Sequence, residues 1–257
     1  MQQSIATVVI LSALASAAFA ASNRQPAPPG SFAGAPPQYT RFTADELQRG
    51  FMALAFGSDL RLGARPKGIR RFDRPIHLHV VAGGGVDRTA AMQRIAGEYA
   101  EKVPALNLTV AQDASSADVE IRLIDEKDFS AALTEAFGRA TARAFVAKTD
   151  PQCMTSVKSD EGGQIVQAVS FVIVDKGDAV FLDCAYHELL HAFGLSNHDQ
   201  HNAWTTLNQR RRVGYLSVYD RALLSLLYDP RMRPGMTRAE AQALLPRLIA
   251  ESGLASE

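Results

Sequence analysis

His187 and His191 stand four residues apart in the stretch His187-Glu188-Leu189-Leu190-His191-Ala192-Phe193-Gly194-Leu195-Ser196-Asn197-His198-Asp199. On a helix that spacing brings both imidazoles to one face, where they can hold two corners of a tetrahedral metal. Glu188 lies one step round, where a carboxylate can approach a metal-bound water without being a ligand itself. That is the position a general base needs in metal-assisted hydrolysis. Gly194 tolerates positive φ, so it can end the helix and turn the chain back toward a third ligand. Beyond the turn the polar cluster Asn197-His198-Asp199 can supply it. Zn²⁺ held there would lower the pKa of its water, and Glu188 would take the proton as the hydroxide attacks a carbonyl. The competing reading is a buried helix carrying two hydrogen-bonded histidines.

Such a site needs a sheet to hold its helix. The longest strand signal, Gln164 to Asp175, alternates Ile165, Val169, Phe171 and Ile173 against Val166, Ala168, Val172 and Val174, and the site helix follows it from about Val180 to Phe193. Further strands are expected over Pro75 to Val81, Ala105 to Ala111 and Val119 to Ile124. Asp87 can cap a helix from Arg88 to Lys102, and Asp128 to Phe137 reads as a short helix or turn. Thr43 with Glu46 and Thr237 with Glu240 are capping boxes, opening helices at 44–57 and from Thr237 to about Glu251. Ser217 with Asp220 starts another, ending near Asp229-Pro230. The expected fold class is α+β: a small mixed sheet packed on a buried active-site helix, with additional C-terminal helices. Gly83-Gly84-Gly85 after a strand lacks the spacing of a nucleotide-binding loop and reads as a tight turn. His77 and His79 share one strand face, as a second metal site or as ordinary histidines.

With 257 residues, 47% hydrophobic and 21% charged, the chain can bury one sizeable core. Its 27 basic and 27 acidic residues give no electrostatic case for nucleic acid or an anionic membrane. Ser4 to Ala20 is an apolar run ending in Ala18-Phe19-Ala20, so residues 1–20 read as a signal peptide, with no stable membrane span after its cleavage. Residues 21–40 read as an extended Pro/Ala-rich linker with little to bury, and 41–257 as a single domain. Export makes the location periplasmic or secreted. In such an oxidising compartment Cys153 and Cys184 are expected to form a disulfide closing a loop of about 32 residues. The rival role for Cys184, three residues before His187, is as a zinc ligand.

His187 to Asp199 resembles the metzincin group of zincin metallopeptidases, whose pattern is His-Glu-x-x-His-x-x-Gly-x-x-His/Asp. The resemblance implies His187 and His191 as zinc ligands, Glu188 as base, Gly194 as the turn and a zincin-like fold. The third ligand of the pattern would fall at Asn197, and because a loop can absorb one residue the resemblance implies His198 as the first choice, Asp199 as the second and His201 as the third. The methionine that metzincins carry beneath the metal has no counterpart in Trp204-Thr205-Thr206-Leu207-Asn208-Gln209, where Leu207 could fill the floor. Over a longer span the chain resembles a family of uncharacterised exported alphaproteobacterial proteins, a domain of unknown function. Cys153-Met154, Val172-Ile173-Val174-Asp175, Phe181-Leu182-Asp183-Cys184, Gly194-Leu195-Ser196-Asn197 and Asp220-Arg221-Ala222-Leu223-Leu224 carry that likeness. The leading expectation is a zinc metallopeptidase acting on a protein or peptide, which pairs with an exposed strand edge at Gln164 to Asp175. Tyr215 and Tyr219 are candidate donors to its oxyanion. The alternative is a non-catalytic cell-envelope binding protein on a degenerate zincin fold.

Overall fold

The computed structural model describes residues 23–57, 67–149 and 152–255. The apolar run read as a signal lies outside them. In chain order the elements are β1 (Arg24–Gln25), β2 (Gln38–Tyr39), α1 (Ala44–Phe56), β3 (Ile76–Val81), α2 (Thr89–Lys102), β4 (Leu108–Val110), β5 (Val119–Ile124), α3 (Glu126–Phe137) and α4 (Arg139–Thr149). Then come β6 (Cys153–Ser159), β7 (Ile165–Ile173), α5 (Asp178–Ala192), α6 (Val218–Leu227) and α7 (Arg238–Ser252). The class is α+β. Five strands form one mixed sheet in the order β4-β3-β5-β7-β6, parallel except for the antiparallel edge strand β6.

The sheet has two unequal sides. On the larger, Ala168 and Val172 of β7 and Val174 just after it join Leu78, Ile121, Phe181, Leu189, Leu190, Leu223 and Leu245 in the main core. On the smaller, Phe171 and Ile173 meet Phe129 and Leu133 of α3. The strict alternation expected through β7 breaks at its start, where the register against β6 shifts between Lys158 and Ser159. That irregularity leaves Val166 exposed and returns Ile165 to the main core. Helix α5 buries Val180, Phe181, Cys184, Ala185, Tyr186, Glu188, Leu189, Leu190 and Ala192, so it is enclosed on almost every side, as its apolar sequence requires.

Both capping boxes form, Thr43 with Glu46 at α1 and Thr237 with Glu240 at α7, and Ser217 caps α6. The strand expected from Ala105 starts only at Leu108, because Pro104–Leu106 is a 3-10 turn that ends on left-handed Asn107. Gln164 to Asp175 is not an exposed edge: β7 lies between β5 and β6, and the edge beside α5 is β6, which the sequence reading did not assign. Nor is the Pro-rich stretch a free linker. Its β1 pairs with β2, the Tyr215 hydroxyl donates to the Pro36 carbonyl at 2.9 Å, and Tyr39 sits edge-on to Trp204. Buried Arg71 makes another long-range tie. Its Nη1 donates to the carbonyls of Leu227, Asp229 and Met232 while the guanidinium lies over the Tyr228 ring. Among the described residues no helix is long and apolar enough to cross a membrane.

Cys153 and Cys184 are disulfide-bonded, their Cα atoms 5.7 Å apart, so Cys184 is not a metal ligand. The bond fastens the edge strand to α5 one turn before His187. Replacing both cysteines with alanine is expected to cost about 3 to 4 kcal/mol for a loop of this length, read as a lowered urea midpoint with a somewhat steeper slope, because the unfolded chain freed of its cross-link exposes more surface. A loss under about 1 kcal/mol would mean that the main core alone holds β6 to the helix.

Candidate metal centre

The helical spacing of α5 brings His187 and His191 together with their Nε2 atoms 3.1 Å apart. His198 arrives from the loop beyond the helix, its Nε2 2.9 Å from that of His187 and 3.1 Å from that of His191. The turn that brings it there depends on Gly194. With φ at +109°, a Cβ at this position would meet the Arg70 carbonyl oxygen at 2.1 Å, so both backbone and space demand glycine. Among the described residues this is the group of three that could hold a metal ion, on residues that are each half-buried.

The outer nitrogens settle the tautomers of two rings. His187 Nδ1 lies 3.1 Å from the Thr206 carbonyl and His191 Nδ1 2.6 Å from the Leu195 carbonyl. A carbonyl can only accept, so both Nδ1 atoms carry the proton and both Nε2 atoms face inward as lone pairs. At 3.1 Å those lone pairs cannot bond to one another. A single N–H from His198 cannot satisfy both with good geometry, whereas a cation at the vertex satisfies all three rings. Burial acts in the same direction. It pulls His187 down to about 3, assisted by His191, and His191 down to about 4 against the opposing Leu195 hydrogen bond. His198 is lowered by burial and then by its two neighbours. Neutral imidazole is the metal-binding form, and three of them with an open fourth position suit zinc.

The one-residue slip at Asn197 has a structural cause. The Asn197 amide donates to the Ala53 carbonyl at 3.0 Å, the Ser196 hydroxyl to the Gly57 carbonyl, and both backbone N–H groups to the Leu54 carbonyl. These residues close the C-terminus of α1, whose last carbonyls have no helical partner. His198 is then the first side chain that turns inward. Asp199 instead accepts from the His201 backbone, and His201 is exposed. On β3, His77 faces Asp118 and His79 faces the Ala111 carbonyl, so neither joins a metal group among the described residues.

Glu188 is 3% exposed, and its Oε2 is buried without a hydrogen-bond partner. Burial pushes its carboxyl up to about 8, with Thr155 opposing and Asp183 adding to the rise. Thr155, on the edge strand, shares a 2.6 Å hydrogen bond with Ser170 and donates to the Glu188 backbone carbonyl at 3.2 Å. At the other flank the Tyr99 hydroxyl donates to the Tyr186 carbonyl, so α2 holds the helix immediately before His187. Tyr215 and Tyr219 do not serve as oxyanion donors in this arrangement. Their hydroxyls are committed to the carbonyls of Pro36 and Glu46.

Sequence reasoning missed Asp220 as a support of the site and saw only a helix cap. Fully buried, its carboxylate accepts from Thr205 Oγ1 at 2.6 Å, the Thr206 N–H at 2.8 Å and Ser217 Oγ at 2.7 Å. Burial raises its pKa while those donors oppose the rise. Thr206 is thereby fixed with its carbonyl on His187, and Leu207 beside it is buried. An acidic residue in the first turn after a serine cap was the available signal, but Thr205 and Thr206, the partners that tie it to the site, lie more than ten residues upstream. Asp220→Asn keeps the shape and turns an amide N–H toward groups that already donate. It is expected to destabilise the fold by about 2 to 4 kcal/mol, measured by urea denaturation, and a change below about 0.5 kcal/mol would contradict a network of this kind.

Searches among curated proteins and among solved structures found no match. A family model described as a protein of unknown function (DUF2927) matches residues 44–247, from the first residue of α1 to within α7. That span takes in the whole five-stranded sheet and all three converging histidines, and on it the chain belongs to the DUF2927 family.

Proposed function

We propose that this protein is an exported zinc-dependent peptidase with a metzincin-like centre, in which His187, His191 and His198 hold the metal and Glu188 is the general base. What carries the reading is the convergence of three Nε2 atoms within 3.1 Å on a helix that also buries an unpartnered glutamate oxygen. Zinc, when bound, supplies Lewis acidity toward a carbonyl oxygen and lowers the pKa of a water.

The chain's own residues do the rest. Thr206 and Leu195 hold the two helix imidazoles in the tautomer that presents Nε2. Glu188, desolvated and without a competing donor on Oε2, takes a proton from the attacking water and returns it to the leaving nitrogen. The edge strand β6 offers backbone groups to an extended peptide, and Thr155 and the disulfide keep that edge in register with α5. The disulfide also supports a periplasmic or secreted location, since such bonds persist in oxidising compartments.

Glu188→Gln removes the base without changing the size of the side chain. In zinc-loaded protein it is expected to lower cleavage of a casein-derived peptide mixture by at least about a hundredfold while zinc content is unchanged, and a chelator should abolish wild-type cleavage. Unchanged cleavage in the variant would remove Glu188 from the reaction. No cleavage by zinc-loaded wild type would favour the reading as a non-catalytic envelope binding protein.

A further inference from the structure

The segment 205–214 joins the histidine centre to the start of the edge strand. At one end Asp220 holds Thr205 and Thr206, the Thr206 carbonyl lies 3.1 Å from His187 Nδ1, and the Leu207 carbonyl accepts from the Asp199 N–H beside His198. At the other end Asp183, one helical turn before His187, accepts from the Val213 N–H at 2.6 Å. Gly214 has φ at +67°, and a Cβ there would meet the Phe32 ring at 2.6 Å, so the N-terminal segment packs against that anchor. In between, Asn208 Oδ1 accepts from the Arg210 N–H at 2.9 Å while its amide donates to the Asn202 carbonyl at 2.7 Å. The segment is thus held at both ends and in the middle.

It carries two exposed arginines, Arg210 and Arg212. Arg212 Nη2 donates to Gln152 Oε1 at 3.2 Å, and Gln152 immediately precedes Cys153, the first residue of β6. That contact puts a guanidinium at the start of the edge strand. Among the described residues neither arginine has an ion pair. Asp183, the acid that faces the segment from α5, is engaged by the Val213 N–H. Strand β6 has no acidic residue of its own, and just beyond its other end the turn to β7 carries exposed Asp160 and Glu161. The edge therefore runs from a basic end to an acidic end, in a chain whose 27 basic and 27 acidic residues balance overall. Opposite charge at one end and like charge at the other both select a charged ligand and orient it.

We infer that Arg210 and Arg212 form an acid-reading subsite at the start of β6, so that the peptide held along the edge strand carries acidic side chains at that end and none at the other. This rests on the proposed peptidase reading and names the substrate class for it. Guanidinium suits the task, because its planar fork takes a carboxylate through two parallel N–H···O bonds. Arg211 stands apart from the subsite, half-buried and with its Nε enclosed.

The test uses binding rather than turnover. Zinc-supplied Glu188→Gln protein is titrated calorimetrically, at low salt, with three acetylated octapeptide amides built on alternating Ala and Thr. One carries Glu-Glu at its N-terminal end and Gln-Gln at its C-terminal end, the second is the reverse, and the third carries Gln-Gln at both. One acidic peptide should bind about five- to thirtyfold more tightly than the neutral one, and which of the two does so gives the direction of the peptide along β6. The other should gain less than about twofold. Arg210→Gln with Arg212→Gln should bring the larger gain below about twofold. Arg49→Gln with Arg247→Gln, which removes two exposed arginines elsewhere, should leave it intact. Arg210→Lys with Arg212→Lys keeps the charge without the fork, should retain part of the gain, and guards against a folding defect in the glutamine variant. Equal gains for both acidic peptides, a gain that survives the loss of Arg210 and Arg212, or no binding of any peptide overturns the inference. Failure of the peptidase reading appears separately, as absent zinc or as no cleavage by zinc-loaded wild type.

Discussion

The arrangement of this protein depends on holding three imidazole nitrogens inward at about 3 Å from one another with no proton to share between two of them. Left alone, those lone pairs repel. They stay because each outer nitrogen of the helix pair is tied to a backbone carbonyl, and because burial makes protonation, the other escape, unfavourable. Each carbonyl is fixed in turn. Leu195 follows the Gly194 turn, and Thr206 is gripped by Asp220, so the vertex is as rigid as the core around it.

Elements far apart in sequence serve that constraint. The end of α1 is closed by Ser196 and Asn197, which converts helix capping into the positioning of His198. Helix α2 grips the Tyr186 carbonyl, the disulfide and Thr155 bind the edge strand to α5, and the N-terminal segment packs on Trp204 and Tyr215 in the loop that carries Thr206. Sheet, helix and loop therefore meet at the histidines with little freedom to move separately.

Much of this was legible because it is written in local signals. The four-residue histidine spacing, the Thr43 and Thr237 capping boxes, the Ser217 cap and the apolar alternation of β7 each act within a few residues. The structure brings the His198 side chain, rather than that of Asp199, to the two helix histidines. What escaped depends on distant partners or on weak local pattern. Strand β6, Cys153-Met154-Thr155-Ser156-Val157-Lys158-Ser159, is too polar to read as a strand and is ordered by pairing with β7 and by the disulfide. Helix α4 has no strong apolar face. The Pro-rich segment looked unable to bury anything, yet its Tyr39, Pro36 and Phe32 dock on surfaces more than 160 residues away. The roles of Arg71 and Asp220 arise only from the folded chain.

The central claim is three-histidine coordination, and zinc stoichiometry tests it most directly. Elemental analysis of purified protein supplied with zinc should find about one zinc per chain in the wild type and in Asp199→Ala, and a large loss in His198→Ala. Wild type that takes up no zinc, or a His198→Ala protein that keeps it while Asp199→Ala loses it, would contradict the coordination proposed.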